Sequence, residues 1–143
     1  MLKKISPLIS PELLKILAEM GHGDTIVLAD ANFPAESSNA QFVTRADGIA
    51  MPPLLDAVLE LLPVDTYVEK PITLMQVVPG DDYVPEIWNE YKCIFTKHGQ
   101  NEEKIEYVDR FAYYNLADTA YCVVATGERA RYANIIIKKG VLD

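Results

Sequence analysis

Cysteine occurs only twice in the 143-residue chain, as Cys93 and Cys122, with no short spacing between them. That excludes a disulfide-dense scaffold and a paired CxxC metal knuckle; it leaves reduced core thiols, one disulfide or a reactive thiol open. Histidine is equally scarce. His22 and His98 are far apart in sequence and form no HExxH pattern, so no metal is expected. No GxGxxG fingerprint is present, and TGERARY at 126–132 lacks the GK[ST] of a phosphate-binding loop, so no nucleotide cofactor is expected either. Long apolar runs are missing. MLKKISPLIS has no extended apolar segment and is broken by Pro7, and no later stretch reaches about 18 apolar residues, so the expected setting is the cytoplasm, without a membrane partner. Positive charge is short as well: 13 Lys and Arg against 21 Asp and Glu give a net charge of -8, which disfavours nucleic acid and anionic membranes as partners.

Hydrophobic residues make up 50% of the chain, enough to exclude disorder, and the length suits a single domain over 1–143 with a two- or three-layer core. The organising stretch is 10–34, SPELLKILAEMGHGDTIVLADANFP. Ser10 and Pro11 begin a helix whose Leu13, Leu14, Leu17 and Met20 share one face, and Gly21 stops it. A Gly-bracketed turn then holds His22 and Asp24. Thr25 to Ala29 reads as a buried strand covered on both faces, and Asp30 opens the loop after it.

Further along, the pattern predicts strands near 41–44, 72–78, 105–108, 121–125 and 134–138. Helices are predicted from Pro52 or Pro53 to Leu62 and over 85–97, with a helical turn over 111–116. Pro79-Gly80-Asp81-Asp82 is a strong turn signal. Helices alternating with short strands, without repeats or linkers, give an α/β fold: three layers, α/β/α, around a mixed, largely parallel sheet.

Several polar residues carry chemistry in this pattern. His22 can exchange protons near neutral pH, and Gly21 and Gly23 would let a ligand approach the backbone; capping the preceding helix is its alternative. Asp24 is a candidate to orient His22, or closes the local turn. Asp30 lies where ligands bind in open α/β sheets, or caps its loop. Arg110 follows a strand and offers only donors, to a hydroxyl, a developing anionic oxygen or a surface carboxylate. Tyr132 and Asn134, two apart, share a face if Tyr132 starts a strand. A phenol can relay a proton there and a carboxamide can orient hydroxyls, although packing and loop capping serve equally. Trp88 fits the core or an interface better than a sugar platform, and His98 fits a helix end.

The segments MGHGDTIVLADANFP and DRFAYYNLADTAYCVVATGERARYANIIIKKGV, with the opening ISPLISPELLKILAEM, together resemble the ribose pyranase/fucose mutarotase (RbsD/FucU) family across essentially the whole chain. The resemblance implies cofactor-independent interconversion of sugar anomers or ring forms. It implies His22 as proton donor and Asp30, Arg110, Tyr132 and Asn134 around a monosaccharide, with the Ala133 backbone between the last two. GHGD, Arg110 in DRF and GERARY favour the fucose branch, hence exchange of the α and β anomers of L-fucose. The alternatives are a ribose-type pyranase and a non-catalytic sugar-binding module. Asn32 replaces the histidine of a DAHFP form, which removes a possible second imidazole. The resemblance also implies a ring-like homo-oligomer, commonly a decamer, with pockets near subunit contacts.

Overall fold

The first helix forms where its capping signal stands. In the computed structural model, which describes residues 1–143, the Ser10 hydroxyl accepts from the Leu13 N–H at 3.1 Å and Pro11 sits in the first turn. Helix α1 (Pro11–Glu19) buries Leu13, Ile16 and Leu17. It is followed by α2 (Met51–Leu59), α3 (Ile87–Lys97) and α4 (Arg110–Asp118). The strands are β1 (Thr25–Ala29), β2 (Phe42–Ala46), β3 (Ile72–Met75), β4 (Ile105–Val108), β5 (Cys122–Thr126) and β6 (Ile135–Lys138).

One six-stranded sheet runs in the order β2-β5-β1-β6-β3-β4. β1, β2 and β5 pair in parallel, as do β3 and β4, while β6 is antiparallel to both β1 and β3. The mixed, largely parallel sheet and the α/β class therefore stand as expected. Alternation along β1 splits the core. Ile26 and Leu28 join the larger cluster beneath α1, α2 and α3, whereas Val27 and Ala29 join the smaller one beneath α4.

Boundaries moved where the sheet supplied partners. β2 extends through Arg45 and Ala46, beyond the strand expected near 41–44, because Ala125 and Thr126 continue the ladder. The third strand was expected to run to 78 but ends at Met75. α4 starts at Arg110, one residue earlier than expected, because Asp109 accepts from the Ala112 N–H at 3.0 Å and caps it. No helix is long and apolar enough to cross a membrane.

The topology fixes where chemistry can sit. The five mutually aligned strands end together, so Asp30, Arg110 and Gly127 emerge at one end of the sheet. β6 runs against β1 and enters at that end, directly after Tyr132, Ala133 and Asn134. His22 precedes β1 and lies at the other end.

Candidate active site

At the carboxyl end of the parallel strands, the Asp30 N–H donates to the Asn134 carboxamide oxygen at 2.7 Å, joining segments 104 residues apart. The Asp30 carboxylate accepts from the Asn32 N–H at 2.9 Å. Burial pushes the Asp30 carboxyl above its ordinary value; the N–H groups of Asn32 and Phe33 and the Asn134 side chain offset part of that effect. Both side chains line a cleft of about 240 Å³ with Asn32, Phe33, Met75, Tyr114, Arg131 and Tyr132. A carboxylate, two carboxamides and two phenols converging on one hollow suit a polyhydroxylated ligand.

The loop carrying Tyr132 has an unusual backbone. Tyr132 is not the first residue of an extended strand: its φ is +58°, a left-handed conformation that a tyrosine rarely adopts. The expected shared face with Asn134 through strand alternation therefore does not apply, and both reach the cleft by a turn instead. Trp88 Nε1 donates to the Tyr132 carbonyl at 2.8 Å and the Tyr91 hydroxyl to the Ala133 carbonyl at 2.7 Å, which hold that conformation. Ala133 is fully buried and does not line the cleft, so the structure does not open its backbone to a ligand there. Trp88 is thus a clamp on the loop.

Glu128 ties this loop to the rest of the sheet end. Its carboxylate accepts from the N–H groups of Met51 at 3.0 Å and of Arg129 and Ala130 at 2.9 Å. Its carbonyl accepts from the Ala31 N–H at 2.7 Å, next to Asp30. Gly127 fits only without a side chain, since a Cβ there would lie 2.7 Å from the Gly48 backbone.

Arg110 is exposed at the first position of α4, the positive end of the helix dipole, where a cation does not help the helix. Its guanidinium lies 5.8 Å from the Tyr114 ring centroid, and Tyr114 lines the cleft. Arg110 stands at the rim. Tyr114 is a cleft residue the sequence reading missed, because the aromatics at 111–116 read as packing rather than chemistry.

His22 sits elsewhere. Its Nε2 lies 3.1 Å from Asp65 Oδ1, with the His22 side chain 44% exposed and that of Asp65 only 2%. The same oxygen accepts from the Tyr67 N–H at 3.0 Å. Burial works to raise the Asp65 carboxyl, but the Tyr67 N–H, the His22 hydrogen bond and the charges of His22 and Lys138 outweigh it and hold it low. An ionised carboxylate only accepts, so Nε2 carries the proton and Nδ1 is the nitrogen free for exchange. Asp24 does not fill the orienting role: its Oδ2 accepts from the Gly21 N–H at 2.7 Å and closes the turn. The carboxylate on His22 comes from 43 residues away. It is positioned by the end of β6, where the Asp65 N–H donates to the Lys138 carbonyl and the Gly140 N–H to the Pro63 carbonyl.

The two groups are well separated. The span from the start of β1 to Asp30 is roughly 16 Å at about 3.3 Å per strand residue, so one copy of the chain does not bring His22 to the Asp30 cleft. His98 belongs to neither. It caps α3, and its Nε2 contacts Asp56 at 2.6 Å, where Lys97 also binds; Glu60 stands nearby. Of the thiols, Cys93 is exposed and Cys122 is buried; both are free, and burial pushes the Cys122 thiol up to about 12.

The sequence and the fold are similar to those of other proteins. Residues 3–142 match the RbsD / FucU transport protein family. An L-fucose mutarotase of Actinobacillus pleuropneumoniae is 55% identical over 141 residues, covering 99% of this chain and 97% of that protein. A human fucose mutarotase is 49% identical, covering 99% and 94%. Among solved structures, the Streptococcus pneumoniae fucose mutarotase in complex with L-fucose superposes with a TM-score of 0.95 at 51% identity, over 99% of this chain and 100% of that one. Bacillus subtilis RbsD complexed with D-ribose gives a TM-score of 0.76 at 28% identity, with both chains fully covered. The full-length match and the shared fold place this chain in the RbsD/FucU family.

Proposed function

We propose that this protein is an L-fucose mutarotase, acting as a single sugar-binding domain that exchanges the α and β anomers without a cofactor. The observation that carries it is the Asp30–Asn134 cleft, in a chain half identical to a protein solved with L-fucose. A ribose-type activity has weaker support, because the similarity to the D-ribose complex is much lower.

The reaction needs two proton movements. The anomeric hydroxyl loses a proton as the ring C–O bond breaks, and the ring oxygen gains one; closure on the other carbonyl face reverses both. His22 Nδ1 takes up one proton and then returns it, and Asp65 holds the neutral ring in the Nε2-protonated tautomer. An ordered water manages the other, with the Tyr132 oxygen as an acceptor beside it. Asp30 accepts from sugar hydroxyls, while Asn134 has its oxygen committed to Asp30 and offers its amide N–H groups. Arg110 at the rim adds donors where oxygen charge changes. A positioned acid–base group contributes about 10²–10⁴-fold, which suffices for a reaction that sugars already undergo in water.

We further propose that the working site is shared between copies in a homo-oligomer, His22 and Asp65 of one copy meeting the Asp30 cleft of another. The separation along β1 supports this. So do exposed apolar side chains at both ends: Tyr67 at 76% beside His22, and Phe111 at 75% and Val84 at 74% near the cleft. A ring as large as a decamer fits the proposal, in the cytoplasm, where Cys93 and Cys122 stay reduced. NMR saturation transfer between anomers tests the activity directly. L-fucose should exchange faster with protein than without, and faster than D-ribose. Equal rates with and without protein would refute the assignment, and a preference for D-ribose would replace it.

A further inference from the structure

The 76–86 segment between β3 and α3 has no regular structure, and one of its carboxylates reaches the cleft loop. The Tyr132 hydroxyl donates to Asp81 Oδ2 at 2.7 Å. Asp81 Oδ1 accepts from the Tyr83 N–H at 3.0 Å and lies 3.7 Å from the Arg131 guanidinium, which in turn stands 4.2 Å over the Tyr83 ring. The Val78 N–H donates to the Tyr132 oxygen at 3.3 Å. These contacts fix the polarity of the phenol. A tyrosine hydroxyl has one proton and two acceptor positions. The proton is committed to a carboxylate that has none to return, one acceptor position holds Val78, and the other remains on a residue that lines the cleft.

We infer that Asp81 is a positioning residue that turns Tyr132 into a hydrogen-bond acceptor, so that a sugar hydroxyl donates to the phenol oxygen rather than receiving from it. This rests on the sugar-binding function proposed above and deepens it, because it states which hydroxyls the cleft selects: those able to donate at Tyr132. It also accounts for the left-handed backbone at Tyr132, which turns the phenol toward Asp81 and Val78 at the edge of the cleft. The Asp81 carboxyl is held below its ordinary value by the Tyr132 hydroxyl and the Tyr83 N–H, and so remains an acceptor at neutral pH. The hydrogen bond to Asp81 raises the Tyr132 phenol, with the Val78 N–H and Arg131 acting the other way.

The test uses the full-length parent, Asp81→Ala, Tyr132→Phe and the double variant. L-fucose affinity should fall about ten-fold in each single variant, as the hydrogen bond from the sugar hydroxyl to the phenol oxygen is weakened or lost, and the double variant should bind like Tyr132→Phe alone. Additive losses would show that Asp81 acts on the loop's structure and not through Tyr132, and would overturn the inference. Monofluorinated L-fucoses then read the polarity, since fluorine accepts but does not donate. One fluoro position should weaken binding to the parent and cease to do so in Asp81→Ala, whose phenol proton is free to turn; an unchanged pattern would refute the claim. With tyrosine labelled at Cζ, the Tyr132 signal of the sugar-free protein should titrate at lower pH in Asp81→Ala than in the parent. This last measurement separates two failures. A parent that binds no L-fucose overturns the sugar assignment, while an unmoved Tyr132 titration overturns the Asp81–Tyr132 pairing whatever the ligand.

Discussion

Asp30→Asn should make this protein more stable and less active. Asp30 is only 8% exposed, and burial lifts its carboxyl above its ordinary value, so at neutral pH the fold holds an anion it would favour as the acid. Asparagine keeps an oxygen for the Asn32 N–H and leaves the backbone bond from position 30 to Asn134 in place. Three donors already compensate the charge and the cleft mouth admits solvent, so the gain belongs in the lower part of the usual ~0.5–2 kcal/mol for such replacements, about 1 kcal/mol. For a chain of this length, about 1 kcal/mol moves the melting temperature by roughly 3 °C. The size of the gain depends on pH. A raised carboxyl destabilises only where it is ionised in the fold, so the advantage of the amide should be full above the folded pKa. It should fade as pH falls toward the unfolded value near 4. Thermal melts from pH 7.5 to 4, beside saturation-transfer rates at pH 7.5, check both halves. An Asp30→Asn variant that melted lower than the parent at neutral pH, or whose advantage did not change with pH, would refute the reasoning.

Three further outcomes follow from named contacts. Gly140→Ala would bring a Cβ to 2.7 Å of the Val64 carbonyl oxygen and 2.8 Å of Asp65 Cα; it should cost about 1–3 kcal/mol in denaturant melts and slow anomer exchange by displacing the carboxylate that holds His22. Glu128→Gln leaves an amide N–H facing backbone donors among Met51, Arg129 and Ala130, so it should destabilise by about 1–3 kcal/mol and weaken L-fucose binding, read by calorimetry. Tyr113→Phe removes a buried hydroxyl that has no hydrogen-bond partner, and should raise stability by about 1 kcal/mol in the same melts.

Much of this fold was legible because its signals are local. Ser10-Pro11 starts α1, and the apolar runs at 25–29 and 105–108 are β1 and β4 to the residue. Asp30 could be placed at a strand end from the same pattern, and its position there supports a ligand role. What was not legible depends on pairings distant in sequence. The acid on His22 is Asp65 and not the nearby Asp24, because the end of β6 draws the 63–65 segment beside the 21–24 turn. No periodicity announces such a meeting. The turn at 79–82 was visible, but nothing local says that its Asp81 reaches Tyr132, 51 residues on. The left-handed Tyr132 broke the strand alternation expected of 132 and 134, since Trp88 and Tyr91 hold the backbone there. Sequence also placed His22 and Asp30 around one sugar without showing that a whole strand separates them.

That separation gives the most direct test of the central claim. His22→Ala and Asp30→Ala, each inactive alone, should be unfolded together, refolded as mixed oligomers and assayed by saturation transfer on L-fucose. If each site takes His22 from one copy and Asp30 from another, random assembly should restore about a quarter of the parent rate. A mixture as inactive as its two components would contradict a site shared between copies.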